Sequence, residues 1–391
     1  MKIARRVFVS AALVGTATAL IAMLRPGSAA EEKAAGGYLA YVGTYTDKTS
    51  SKGIYAYRYD AITGKMTELG VAAETANPSF LAVHPNRQFL YAVNESGKDS
   101  TVSAFRIDAA NGKLTLLNQV AALGEDPCYI SFDRSGKYVF VANYTSGNVV
   151  VFPVGADGKL GSATANVRDE GTLGPNKERQ EAPHAHWIEP SADNSAVYVA
   201  DLGLDRVFTY RFESSGGTLS RVSSAATLTP GAGPRHAAVS ADGNLMYVLG
   251  ELDSSVSIFR LDWQKPFYAL QRESARAGGV SSRNDAAEIA VDKRGKHLYT
   301  SNRGDETIAV FDIFDDYQRK GRLGLITLTP TGGKEPRHFA LDPAGKLLLV
   351  ENQLSDNIIR FQVDVRTGKL TRVGDATSVP SPVCLVFVPV N

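Results

Sequence analysis

The sequence has few cysteines, no excess charge of one sign and only one long apolar run, and each shortage excludes a class of protein. Two Cys among 391 residues are too few for a disulfide-based scaffold. The 42 Lys and Arg face 41 Asp and Glu, for a formal net charge of +1. The first 30 residues contain four basic residues and no acid, so the remainder balances at 38 minus 41, or −3. A body this close to neutral lacks the electrostatic footprint of a nucleic-acid-binding protein, so we expect no nucleic-acid partner.

The one long apolar run lies at the N-terminus and is typical of an export signal. A basic start precedes an apolar stretch from Val7 to Leu24, and small residues then permit cleavage after Ala30. The pair Arg5-Arg6 also resembles a twin-arginine signal. We therefore expect residues 1–30 to be a signal peptide and the mature protein to be periplasmic or secreted, without a membrane span. The alternative is an uncleaved leader that anchors the chain, because 18 apolar residues lie at the short end of the spanning range.

One sequence unit recurs through the rest of the chain. Each copy has a small residue or Pro, an apolar alternation, a Gly-containing turn, a second apolar run that ends in a polar residue, and two further alternations. Six copies, spaced by roughly 50 residues as propeller blades are, begin at Asn77, Asp126, Ala182, Gly233, Asp285 and Glu335.

A seventh copy is divided between the two ends of the chain. The segment from Gly36 lacks its first strand, and "SPVCLVFVPV" from Ser381 is that first strand alone. Residues 31–391 are therefore predicted to be one all-β domain, a seven-bladed β-propeller closed by pairing the C-terminal strand with the N-terminal blade. Separate β-sandwiches are the alternative, but they would not explain why the missing strand reappears at the C-terminus.

The unusual polar residues fall at one end of the predicted blades. The start of the first strand and the end of the second lie at the same end of a hairpin, so seven such pairs converge on one mouth of the central channel. Four of the six His lie there, beside Arg and carboxylates, whereas His84 and His297 belong to the opposite edge and are expected to be structural. Each polar residue could also tie neighbouring blades together, but the copies differ from one another, which favours an asymmetric site.

These residue types are suited to hydrolysing an ester-like carbonyl. A neutral His can take a proton from water, a Glu can orient it or act as partner acid, and two Arg can hold an anion or stabilise an oxyanion. No G-x-S-x-G elbow indicates a serine nucleophile, and no dinucleotide motif indicates a nucleotide cofactor. Zinc held by His184 and His186 with Asp201 or Glu251 is an alternative, but we expect no metal and no cofactor. The irregular segment from Val167 to Glu181 is expected to be a long loop over one face.

The motifs "YVGTYT", "PHAH", "GPRH", "SNR" and "EPRHF" together resemble the lactonase propeller family, which includes the propeller-type 6-phosphogluconolactonases and the fungal carboxymuconate cycloisomerases. The resemblance covers nearly all of the mature chain and implies that a lactone ring is opened or formed at the mouth. It implies His184 as general base or acid, Glu251 as its carboxylate partner, and Arg235 and Arg303 as clamps for the anion and oxyanion. Further substrate contacts are expected from His186, Asn302, Arg337, His338 and Glu351, of which the pair Arg337 and His338 could instead be structural.

The implied ligand is a small lactone, expected to be anionic, and the protein is expected to be a monomer. The export leader departs from the family pattern, because a phosphorylated sugar lactone belongs to the cytoplasm. An unphosphorylated sugar lactone is therefore a candidate substrate. A non-catalytic binding propeller and a lactone-forming cycloisomerase are the alternative functions, since propellers carry out unrelated functions.

Overall fold

The computed structural model describes residues 37–262, 265, 267–280 and 282–390. They form seven antiparallel sheets arranged as the blades of a ring, which confirms the predicted seven-bladed, all-β fold. The predicted signal peptide, its apolar stretch and Trp263 lie outside the described residues. Within the described ranges, no helix is long and apolar enough to cross a bilayer.

The strands follow one another blade by blade, with two short 3-10 turns at Gly97–Asp99 and Gln353–Ser355. Blade 1 has β1 (Tyr38–Thr44), β2 (Gly53–Tyr59) and β3 (Met66–Glu74); blade 2 has β4 (Pro78–Val83), β5 (Phe89–Asn94), β6 (Thr101–Ile107) and β7 (Leu114–Ala121); blade 3 has β8 (Pro127–Phe132), β9 (Tyr138–Asn143), β10 (Asn148–Pro153) and β11 (Ala165–Arg168). Blade 4 has β12 (Ala185–Pro190), β13 (Ala196–Asp201), β14 (Arg206–Glu213) and β15 (Thr218–Thr227); blade 5 has β16 (Pro234–Val239), β17 (Leu245–Gly250), β18 (Ser255–Arg260) and β19 (Ala269–Ser274). Blade 6 has β20 (Asp285–Val291), β21 (His297–Arg303), β22 (Thr307–Ile313) and β23 (Leu323–Pro330); blade 7 has β24 (Pro336–Leu341), β25 (Leu347–Asn352), β26 (Asn357–Val363), β27 (Leu370–Arg372) and β28 (Thr377–Ser378); and β29 (Pro382–Pro389) completes blade 1.

The ring closes through the C-terminal strand, as the divided repeat predicts. Strand β29 runs antiparallel to β1, with Tyr38 opposite Pro389 and Val42 opposite Leu385. This pairing makes β29 the innermost strand of blade 1 and gives that blade its four strands. Because closure removes the exposed edges of the first and last segments, it stabilises the ring against strand addition. Cys384 on β29 and Cys128 on β8 are both buried and free.

Every innermost strand is irregular at the end where the candidate residues lie. The register shifts by one extra residue near the start of each of these seven strands, which is a β-bulge. A bulge removes a residue from the ladder and turns its side chain in a new direction, and bulges are frequent beside active sites. The unpaired residue is His186 in blade 4, Arg235 in blade 5 and Arg337 in blade 7.

The predicted long loop begins later than expected. Residues Ala165–Arg168 form the outermost strand of blade 3, so Val167 is a strand residue and the irregular stretch starts at Asp169. The alternation in this outer strand is short, which is why the charged, Gly-containing sequence that follows obscured it. The stretch from Asp169 to His184 leads into blade 4 and carries two charged side chains to the mouth, described below.

Candidate active site

The "GPRH" motif of blade 5 places an arginine and a glutamate side by side. Gly233 has a left-handed backbone (φ 61°), and its carbonyl accepts a hydrogen bond of 2.8 Å from the Glu251 amide. A Cβ at Gly233 would lie 2.6 Å from Cγ of Leu252, so glycine suits this position sterically as well. The β-bulge at Arg235 comes next in the same motif, directly after Pro234. The same motif therefore fixes the start of β16 against the end of β17 and directs both charged side chains to the mouth.

Three guanidinium groups surround the carboxylate of Glu251. Oε2 lies 2.9 Å from Nε of Arg235 and 3.1 Å from Nη2 of Arg303, while Oε1 accepts a 2.5 Å hydrogen bond from Nη2 of Arg179. Glu251, Arg235 and Arg303 are all buried. Burial alone would raise the pKa of the Glu251 carboxyl, but the charges of Arg303, Arg235 and Arg179 outweigh it and lower the pKa to about 2. Glu251 is therefore ionised throughout the neutral range.

Backbone carbonyls hold the two buried arginines in place. Nη1 of Arg235 donates to the Ala287 carbonyl at 2.6 Å, and Nε of Arg303 donates to the Asp285 carbonyl at 3.0 Å. The contact of Arg235 Nε with Glu251 is an ion pair rather than an aligned hydrogen bond. Nη2 of Arg235 donates no hydrogen bond to any residue in the described part of the chain. This group is consequently the arginine's available donor for a ligand.

His184 has a defined tautomer. Its Nδ1 lies 2.9 Å from the backbone carbonyl of Tyr144, which can only accept, so Nδ1 carries the proton. In the neutral ring Nε2 then has the lone pair, and in the imidazolium it donates to Oε1 of Glu181, which lies 3.1 Å away. The imidazole stacks on the Tyr144 ring at 4.4 Å between centroids. A histidine held in this way is ready to accept a proton at Nε2.

The structure does not join His184 to Glu251, the pairing that the resemblance implied. No hydrogen bond or ion pair connects them within the described residues, because each side chain already has other partners. They are linked indirectly through Arg179, which donates to the Tyr144 hydroxyl at 3.3 Å as well as to Glu251. His184 and Glu251 therefore lie on either side of Tyr144 and Arg179. His184 faces a carboxylate, whereas Glu251 faces guanidinium groups.

His186 and Arg337 reach the same channel without strong polar partners. Burial lowers the pKa of His186 well below its usual value, and its Nδ1 has no hydrogen-bond partner in the described structure. The Arg337 guanidinium lies 5.3 Å above the Tyr45 ring, an aromatic contact that suits a cation. Among the described residues, no three His, Cys, Asp or Glu side chains are grouped to hold a metal. The backbone amide of His184 instead donates to Asp201, whose carboxylate supports the chain there.

Two further predicted residues lie deeper, and one lies in the scaffold. Nδ1 of His338 contacts Oε2 of Glu351 at 2.7 Å, and both are buried. Burial raises the pKa of Glu351 to about 7. The amide nitrogen of Asn302 donates to the Ala275 carbonyl at 2.7 Å, and its oxygen accepts from Asn284 at 3.1 Å. The predicted substrate contacts of these three residues remain predictions.

The sequence pattern did not indicate the contacts that Arg179, Glu181 and Glu288 make. Arg179 and Glu181 belong to the irregular stretch, where no periodicity indicates which side chains turn inwards. The only signal was the charge of "NKERQE" in a loop already expected to be functional. Glu288 stands where five other blades have an aromatic residue or His and blade 1 has Cys384, so its position within the repeat was the available signal.

Comparison with known proteins identifies the family of the chain. Residues 39–387 match the family described as "Lactonase, 7-bladed beta-propeller". The chain is 36% identical over 352 residues to the 6-phosphogluconolactonase of Bacillus subtilis, which covers 90% of this chain and 98% of that protein. It is 33% identical over 348 residues to the 6-phosphogluconolactonase of Formosa agariphila, covering 85% and 94%. The solved structure of the Pseudomonas aeruginosa periplasmic gluconolactonase has a TM-score of 0.84 and 33% identity, covering 90% and 99%.

Proposed function

Because the chain belongs to the seven-bladed β-propeller lactonase family, we propose that it is a carboxylic ester hydrolase that opens the ring of a sugar-type lactone at the channel mouth. The observation that carries the proposal is the combination of a basic His184 Nε2 with three guanidinium groups organised by Glu251. The 6-phosphogluconolactonases and the gluconolactonase that resemble this chain support the same reaction class.

In the proposed reaction, His184 acts as general base and then as general acid. Water adds to the lactone carbonyl carbon while Nε2 takes one of its protons. Collapse of the tetrahedral intermediate breaks the bond between that carbon and the ring oxygen, and the imidazolium returns its proton to the departing oxygen. The product is a hydroxy acid. Glu181, whose side chain is 55% exposed beside Nε2, stabilises the imidazolium that forms in between.

The arginines stabilise the oxyanion, and Glu251 holds them in position. A carboxylate that stays ionised and contacts three guanidinium groups is poorly suited to donating a proton. It is well suited to fixing cations near the carbonyl oxygen before the reaction begins, which is the main source of oxyanion stabilisation. The free Nη2 of Arg235 is the donor that we assign to the oxyanion.

A pocket of about 480 Å³ next to Arg179 is proposed to receive the rest of the sugar. Its cations already have partners: Arg276 contacts both carboxylate oxygens of Asp305 at 2.6 Å, and Arg283 contacts Asp285 at 3.0 Å. Apart from Leu252 and Val280, the remaining lining offers amide, hydroxyl and carboxylate groups, which match sugar hydroxyls better than a phosphate. We therefore propose an unphosphorylated sugar lactone, with the product carboxylate as the anionic species.

Export of the mature protein is part of the proposal. It rests on the N-terminal signal pattern and on the periplasmic gluconolactonase among the similar structures. A periplasmic or secreted enzyme would meet unphosphorylated sugar lactones rather than cytoplasmic sugar phosphates. The cleavage after Ala30 and the monomeric state remain predictions.

The test is a pH-stat assay of the purified protein on glucono-δ-lactone and its 6-phosphate, measured against the spontaneous rate. We expect acid release above background, with a higher kcat/KM for the unphosphorylated lactone. His184→Ala should lower kcat by about a hundredfold, the usual contribution of a general base. His84→Ala is the matched control, because this histidine lies on the opposite edge of its blade. Turnover that is unchanged in His184→Ala, or absent from wild type on every lactone tested, would contradict the proposal.

A further inference from the structure

Below the mouth, three neighbouring blades each direct one ionisable side chain into the channel. These are His236 on β16, Glu288 on β20 and His338 on β24, with fractional exposures of 2%, 9% and 8%. They pack against aromatic rings, with His236 at 5.0 Å from Tyr129 and 5.8 Å from Phe80 between centroids. A carboxylate buried among rings is costly unless its charge is compensated, so the partners of Glu288 require an explanation.

The contacts of His236 define its protonation state. Nε2 lies 3.3 Å from Nη1 of Arg235, and an arginine can only donate, so Nε2 carries the lone pair. Nδ1 lies 3.1 Å and 3.2 Å from the two carboxylate oxygens of Glu288, so Nδ1 carries the proton and donates it to them. His236 is therefore a neutral imidazole that accepts from a guanidinium at one nitrogen and donates to a carboxylate at the other.

This arrangement restrains the orientation of Arg235. Its Nη1 is held by two acceptors, the Ala287 carbonyl at 2.6 Å and His236 Nε2, while Nε faces Glu251 at 2.9 Å. The plane of the guanidinium is then fixed, and Nη2 is the remaining donor. Burial and the nearby charges of Arg303 and Arg337 work against a cation here and lower the pKa of Arg235 to about 10. The negative charge of Glu288, which His236 links to Arg235 through two hydrogen bonds, offsets part of the cost of burying the Arg235 cation.

We propose that Glu288, acting through His236, is a positioning residue that orients Arg235 towards the carbonyl oxygen of the lactone. The inference rests on the proposed function, because Arg235 is assigned there to the oxyanion. The outer partners of metal-bound histidines act in a similar way: a carboxylate fixes the ring tautomer and orientation, and its loss costs roughly ten- to a hundredfold in activity. Glu288 does not touch the substrate in this scheme.

A purely structural role is the competing explanation, since the same contacts also join blade 5 to blade 6. The two roles differ in what Glu288→Gln does. A positioning role predicts that kcat falls about tenfold with KM changed less than about twofold, because only the transition state makes use of the oriented donor. A structural role predicts a lower melting temperature with kcat unchanged. Asp292→Asn is the matched control, because it weakens a carboxylate–histidine contact of 3.0 Å in the same blade at the opposite face.

A double-mutant cycle separates action through Arg235 from any other route. We expect Glu288→Gln to have no further effect on kcat in an Arg235→Ala background, because the residue that it orients is then gone. His236→Gln, whose side-chain oxygen can still accept from Arg235, should recover part of the activity that His236→Phe loses. An equal decrease in kcat from Glu288→Gln in wild type and in Arg235→Ala would overturn the proposal. A lower melting temperature with kcat unchanged would overturn it as well.

Crystal structures keep this test independent of the assay. In Glu288→Gln we expect the Arg235 guanidinium to leave the Ala287 carbonyl or to rotate relative to Glu251. An unmoved guanidinium would overturn the inference even if wild type hydrolyses lactones. Absence of turnover in wild type would instead refute the proposed function, and the position of Arg235 in the two structures would still decide whether Glu288 orients it.

Discussion

The two faces of the ring use histidine and carboxylate in different ways. At the far face, His297 Nδ1 contacts Asp292 at 3.0 Å within one hairpin, and His84 Nε2 contacts the Gly136 carbonyl of the next blade at 2.9 Å. At the mouth, Glu251 gathers guanidinium groups from blade 5, blade 6 and a loop. A single local contact is enough to stabilise a turn, whereas three cations on one carboxylate exceed what any turn requires. The excess of charge is the reason for proposing the mouth as the functional face.

A second contrast shows what the cations do. Asp169, at the start of the irregular stretch, and Glu251 are both buried carboxyl groups. Burial and the nearby Asp201 raise the pKa of Asp169 to about 8, whereas the arginines bring that of Glu251 to about 2. Burial acts in the same direction on both groups, so the opposite shifts come from their neighbours. Four substitutions test these differences between the two faces and between the two buried acids.

Glu251→Gln should have the largest effect. It leaves buried guanidinium groups without their shared charge, so we expect kcat to fall about a thousandfold and stability to fall by about 3 kcal/mol. A pH-stat assay and urea unfolding measure the two losses. Asp292→Asn at the far face is the control and should lower stability without changing kcat. Comparable kcat values for the two variants would remove the distinction between the faces.

Arg179→Ala should have a smaller effect that is confined to catalysis. The side chain is 28% exposed on a loop, so little stability depends on it. Loss of one charged hydrogen bond to Glu251 predicts a decrease of about tenfold in kcat/KM. Lys177→Ala, an exposed change in the same loop, is the control. If kcat/KM of both variants matched that of wild type, Arg179 would have no part in the reaction.

Asp169→Asn tests the contrast between the buried acids through pH. A carboxyl whose pKa is raised on folding binds more protons in the folded state, so its contribution to stability is present at pH 4 and is lost as pH rises towards 8. Urea unfolding should therefore show wild type weakening relative to the variant between pH 5 and pH 8. A difference in stability that does not change with pH would show that Asp169 ionises normally.

His84→Ala should have the smallest effect. Loss of its hydrogen bond to Gly136 predicts destabilisation by about 1 kcal/mol, with kcat unchanged. Thermal unfolding and the pH-stat assay check the two parts. A fall in kcat would mean that the far face contributes to the reaction and would weaken the first comparison.

The fold could be predicted because its information is periodic. Repeats at a constant spacing define the blades. The copy that begins at Gly36 lacks its first strand, and the segment from Ser381 supplies that strand and so closes the ring. The face proposed for the site followed from hairpin geometry, and Arg235, Arg303 and Glu251 do meet there. These conclusions depend only on which residues lie at which end of a strand.

The details of the site could not be predicted because they depend on directions that the repeat does not encode. His184 was expected to pair with Glu251, but its position before β12 turns it to Tyr144 and Glu181. Arg179 reaches Glu251 from a loop without periodicity, and its charge alone did not distinguish it from Lys177. The bulges at the inner strands also redirect side chains such as Arg235 away from the alternation of a regular strand.

The most direct test of the proposed active site is a crystal structure of the protein with gluconate, the product of the proposed reaction. We predict that the gluconate carboxylate lies at the mouth within hydrogen-bond distance of Arg235 Nη2, with its hydroxyls directed to the pocket beside Arg179. Gluconate bound at the far face, or bound at the mouth with its carboxylate turned away from Arg235, would contradict the assignment of this face as the active site.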